Sequence, residues 1–132
     1  MTPDVRITPE PLAGVDSDQV SDCVRACVDC ARANIACAEA CLRERSAPHL
    51  APCVRANLAC ADIAEATARL LSRYAGQEIN LARAFLDTCT EACLTCADEC
   101  DRQARRHKQC KTCAEACRRC AEACQKLVAA LP

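Results

Sequence analysis

Five cysteines, Cys110, Cys113, Cys117, Cys120 and Cys124, follow one another at steps of three, four, three and four residues. Three and four residues bracket one turn of an α-helix, so these steps keep returning to the same face. Neither Gly nor Pro interrupts the segment, and the Ala, Glu, Arg, Lys and Gln residues between the thiols are good helix formers. The spacing therefore predicts a row of sulfurs along one side of a helix, at positions where most proteins place Leu and Ile.

The pattern recurs earlier in the chain. A helix over about 16–45 is expected to start at Asp16, a capping side chain with Gln19 at the capping-box position. It carries Cys23, Cys27, Cys30, Cys37 and Cys41, with Asn34 in the skipped position. At about 100° per residue these five thiols fall within about 80° of one another. Val24, Val28, Ile35 and Leu42 form a second apolar strip, free to face a neighbouring helix or another subunit, and Arg25, Arg32, Glu39 and Arg43 take the outside. Pro48 and Pro52 mark a break, Pro52 fitting only the first turn of the next helix. That second helix, over about 50–74, carries Cys53 and Cys60, with Asn57, Ala64, Thr67 and Leu71 in the same register and Gly76 as its stop. A third over about 77–106 carries Cys89, Cys93, Cys96 and Cys100 after Phe85 and Leu86. Arg105 to Lys108 read as a short turn, and the fourth helix covers about 108–131. Residues 1–15, with Pro3, Pro9, Pro11 and Gly14, read as an irregular arm.

A chain of 132 residues is one domain, yet Leu, Ile, Val and Phe together number only 23. The missing bulk is supplied by 16 Cys and 27 Ala. Thiols pack as small apolar groups, so they can form a core if they point inward together. A net charge of -1 gives no footprint for nucleic acid, and no apolar run approaches the ~20 residues of a membrane span. Met1 to Asp16 contain no apolar stretch of the kind an export signal needs, so a reducing cytoplasm is expected. A secreted disulfide scaffold fits poorly, because cysteines stepping along one helix have parallel Cβ vectors.

Four helices with short connections should pack as an all-α, antiparallel up-down-up-down four-helix bundle with a cysteine-lined core. The first and third connections then fall at one end, and His49 and His107, the chain's two histidines, lie in or beside them. Each is in phase with its own cysteine stripe, His49 four residues before Cys53 and His107 seven after Cys100. Leu70, Leu71, Ile79, Leu81, Phe85, Leu86, Leu127, Val128 and Leu131 collect at the other end as an apolar plug.

A core needing only small apolar volume would use Ala, Val or Leu and avoid the oxidation hazard of thiols. Soft sulfur ligands select Cu(I), zinc or iron–sulfur clusters. Zinc wants four ligands in a tetrahedron, normally from two separated knuckles, and iron–sulfur runs usually sit in loops and end on Cys-Pro. Continuous helical stripes suit an ion content with two sulfurs, which is Cu(I). If each sulfur bridges two ions, capacity is on the order of one ion per thiol.

These features resemble the bacterial copper storage proteins over about residues 17–131. The likeness rests on Cys23–Cys30, Cys37 and Cys41, the runs 89–100 and 110–124, and Pro52-Cys53 through Cys60-Ala-Asp. It is strongest to the branch without an export signal, which is cytosolic. The resemblance implies a homotetramer of bundles and copper entry at the histidine end, hence through His49 and His107. Asn34, Asn57 and Ala64 stand where that family could place further thiols. The metal ligands expected are thus the sixteen cysteines and these two histidines, with no catalytic residue. A copper donor or acceptor protein is the further partner; Arg105, Arg106 and Lys108 read as a solvated turn, with a docking surface for such a protein as the alternative. Three rival functions differ in chemistry. A thiol oxidoreductase would place one Cys-x-x-Cys near a βαβ unit, and here four such pairs sit on helices. A zinc-binding structural protein would differ in ion identity, and a single-ion copper chaperone in stoichiometry.

Overall fold

The structure is a computed structural model that describes residues 15–45, 48–73 and 79–132. The described residues form four helices, α1 (Ser17–Leu42), α2 (Ala51–Arg73), α3 (Ile79–Asp101) and α4 (Lys108–Ala130). Each packs against two neighbours, α1 with α2 and α4, and α3 with the same two, so the helices form a ring in up-down-up-down order. Among the described residues, no helix is long and apolar enough to cross a membrane.

The helix ends follow from local chemistry. Asp16 caps α1 by accepting from the Asp18 backbone N–H at 2.9 Å, and Gln19 bonds to Asp16 through the main chain. Pro52 lies in the first turn of α2, where its missing N–H leaves no bond unmade. α3 stops at Asp101, earlier than its periodicity predicts, because the chain tightens into turns. The N–H of Gln103 bonds to Cys100 O at 3.0 Å and that of Arg106 to Gln103 O at 3.2 Å. Residues 1–14 of the expected arm over 1–15, and the Gly76 stop of α2, lie outside the described residues.

The core is a sulfur column set on an aliphatic base. Leu71, Leu86 and Leu127 are buried at the end away from the α1–α2 turn, with Leu70 and Leu131 beside them. Each fully buried leucine contributes on the order of 2 kcal/mol, so this end supplies much of the conventional hydrophobic stabilisation. Val15, placed with the arm by its sequence context, is buried in the same core. Leu81 departs from the expected plug. It is 42% exposed, because the inward stripe of α3 runs through Ala82, Leu86 and Cys89, and Leu81 precedes it by one residue. In the second strip of α1, Val24 and Val28 are half-buried against the core, whereas Ile35 and Leu42 face outward.

Candidate metal centre

All sixteen cysteines are free and buried. They come from four separate elements and meet on one axis. The run on α4 from Cys110 to Cys124 spans about 21 Å at about 1.5 Å per residue. Along it, sulfurs of different helices approach closely. Cys53 and Cys100 lie 3.5 Å apart, Cys27 and Cys120 3.7 Å, Cys30 and Cys60 3.8 Å, and Cys23 and Cys124 3.8 Å.

The sulfurs fall into overlapping groups whose members lie within 4.8 Å of one another. Cys37, Cys41, Cys53 and Cys110 form one group near the α1–α2 turn. Cys27, Cys89, Cys120 and Cys124 form another towards the leucine base. Between them, Cys30 joins Cys60 and Cys117 on one side and Cys93 and Cys120 on another, while Cys37 joins Cys100 and Cys113. Cys30 and Cys120 link the groups towards the leucine base and Cys37 links those nearer the α1–α2 turn, so within each half one thiolate could bridge ions in neighbouring groups.

Two amides interrupt the sulfurs at mid-height. The Asn34 Oδ1 accepts from the thiols of Cys96 at 3.0 Å and Cys113 at 3.2 Å, and its Nδ2 donates to Cys30 O at 2.9 Å. The Asn57 Oδ1 lies 3.3 Å from Cys96 Sγ and 3.4 Å from those of Cys100 and Cys113. The sequence predicts only a core hydrogen bond for each asparagine. Their partners are the thiols themselves, so both amides belong to the site. The signal available was their position within the stripes.

The electrostatics reflect the crowding of thiols away from water. Contact with Cys120 first, then with Cys124 and Cys23, and burial besides hold the Cys27 thiol far above its ordinary value. Side-chain hydrogen bonding with Cys124 first, then with Cys27, draws Cys120 far down against its burial. Contact with Cys124 lowers Cys23 to about 5. At the other end, burial is the main cause holding Cys41 up. Among the described residues, the buried polar side chains are Asn34, Asn57 and Thr67. None is cationic, so charge balance for a set of thiolates has to be brought in by a soft cation.

The two histidines are placed differently. His49 is exposed in the turn before α2, whereas His107 is nearly buried at the start of α4, its Nδ1 2.6 Å from Glu44 Oε2. Because Glu44 follows α1 directly, this contact places the two connections at the same end of the bundle.

The model of the copper storage protein family matches residues 16–129. The chain belongs to the copper storage protein family. Among solved structures of the family, the chain is similar to Ccsp of Streptomyces lividans loaded with 10 copper equivalents. The identity is 46% and the TM-score 0.90, over 96% of each chain. A second structure, described as copper loading to a cytosolic copper storage protein from Streptomyces lividans with five coppers, matches at 46% identity and TM-score 0.87. It covers 90% of this chain and 99% of that one. A Cu(I)-bound copper storage protein, BsCsp3, matches at 29% identity and TM-score 0.72, over 83% of this chain and 98% of its own. No curated protein sequence matches the chain.

Proposed function

We infer that this protein stores and buffers many Cu(I) ions in the cytosol, holding them as thiolate complexes inside the bundle with no catalytic turnover. The observation that carries this reading is the convergence of all sixteen free thiols, from every helix, into overlapping groups on one axis. A chaperone delivering one ion needs a single accessible pair, and a structural zinc site needs four ligands. Neither accounts for sixteen. The copper-loaded state of the Streptomyces lividans relatives and their cytosolic description support the same assignment.

The ligands are the cysteines of the column, joined at the histidine end by His107 and His49. Copper enters there, because the opposite end is filled by leucine. Cu(I) displaces a proton from each thiol that is still neutral when it binds. The bundles assemble as a homotetramer, a state that would cover the outward Ile35, Leu58 and Leu94. The exposed Arg105, Arg106 and Lys108 beside the histidine end suit a copper donor or acceptor protein of acidic surface.

Anaerobic titration of the reduced chain with Cu(I) against a chelating indicator tests the assignment. The indicator should stay silent until on the order of one ion per thiol has been taken up. Uptake of a single ion would favour the chaperone, and retention of zinc against Cu(I) would favour a structural zinc protein.

A further inference from the structure

At the end of the bundle where both connections turn, four side chains form a continuous chain of contacts. His107 Nδ1 lies 2.6 Å from Glu44 Oε2. Gln109 Nε2 donates to Glu44 Oε1 at 2.9 Å and reaches Cys41 Sγ at 3.7 Å. Cys41 in turn belongs to the four-sulfur group nearest this end. One carboxylate and one amide therefore link the imidazole to the outermost thiols. The His107 side chain is 11% exposed and that of Glu44 32%, so the chain is shielded but not sealed.

The position of Glu44 is unfavourable for its own helix. It follows the C-cap of α1, where the helix dipole disfavours an anion, and α1 has no basic residue in its last turn. The compensation comes from across the turn. α4 has no acidic residue in its first turn, and His107, its N-cap, makes no side-chain capping bond. The carboxylate thus meets both the positive end of α4 and an imidazole N–H.

We propose that Glu44 is the positioning residue for His107 as a Cu(I) ligand at the mouth of the sulfur column. By accepting a hydrogen bond from Nδ1–H it holds the ring in one tautomer and leaves Nε2 as the nitrogen with a free lone pair. Gln109 carries the same constraint inward to Cys41. The assignment rests on the storage reading above and deepens its entry site. Metal-binding imidazoles are commonly ordered in this way, the ring N–H away from the metal being donated to a carboxylate. Loss of such an outer partner lowers metal affinity or activity by about 10–100-fold. The geometry singles out His107 over His49, which is exposed in its turn.

The test compares the full reduced chain with Glu44→Ala under anaerobic conditions, using two readouts. In the parent protein, long-range proton–nitrogen NMR should place the His107 proton on Nδ1, and in Glu44→Ala that preference should be lost. Stopped-flow transfer from a Cu(I)–chelator complex should slow by about tenfold or more for the first ions, with the final number bound unchanged. Should Glu44→Ala lose helix content, Glu44→Met keeps the length without an acceptor and carries the same expectation. His107→Ala should slow entry to a similar degree, and the double variant no further than His107→Ala alone. An unmoved ring proton, an unchanged rate or an additive double variant overturns the assignment. A parent chain that takes up one ion or none overturns the storage reading instead.

Discussion

Asn34 and Asn57 show what a single residue does in a sulfur core. Each stands in a stripe that otherwise repeats thiols or small apolar groups, and each turns an amide oxygen towards thiols of α3 and α4. A thiol is a weak donor, but these oxygens are buried and have no water to fall back on. Asn34 is bound at both ends of its amide, to Cys30 O and to the thiols. Asn34→Ala should therefore destabilise the metal-free protein by about 1–3 kcal/mol, from lost bonds and a small cavity. Denaturant unfolding of the reduced chain measures this, and a change within error would show that the amide is dispensable to the empty fold. The existence of these residues was legible in the stripe, but their partners were not. A hydrogen bond across a bundle depends on helix rotation and axial offset, which one helix's spacing does not encode. Glu44 and Gln109 were less legible still, since a charged residue in a turn and a polar one at a helix start carry no periodic signal.

The element scale is where spacing spoke most clearly. Steps of three, four and seven marked four helices and the face each turns inward, and every cysteine so placed is buried. Ends were harder to read. α3 stops at Asp101 because its last turn tightens, a competition between turn and helix that periodicity does not register. Leu81 faces outward for a simpler reason: the burial of a large apolar residue near a helix end is set by its angle on the helix, not by its apolar neighbours. The arrangement of α3 supports a specific expectation. Cys89 belongs to the group with Cys27, Cys120 and Cys124, and Cys93 to that with Cys30 and Cys120. Neither belongs to the Cys37, Cys41, Cys53 and Cys110 group. The pair Cys89→Ser/Cys93→Ser should lose only a few ions in the Cu(I) titration, since a hydroxyl is a poor ligand for soft Cu(I). Circular dichroism should report the helices intact, because serine and cysteine differ little in helix propensity. Loss of all binding would mean that the groups do not fill independently.

For the molecule as a whole, the column couples charge to content. Thiols such as Cys27 and Cys41 are held in their protonated form, whereas Cys23 and Cys120 are drawn towards thiolate, the form that binds copper. It is therefore the raised thiols that give up protons on loading. Each ion that displaces a proton competes with protons, so binding weakens as pH falls and strengthens as it rises. Apparent affinity should change by up to about tenfold per pH unit for each proton released, and loading should acidify a weakly buffered solution. Competition titrations at about pH 6 and about pH 8 read the slope, and a flat profile would mean that the thiols are already ionised before copper arrives.

The leucine floor has one more consequence. A vessel stoppered at its base and reached from its rim is filled in layers, and what settles lowest is the last to be drawn out. Ions beside Cys23 and Cys124 would turn over slowly, as long-term reserve, while those beside Cys41 and Cys53 would answer first to a passing demand.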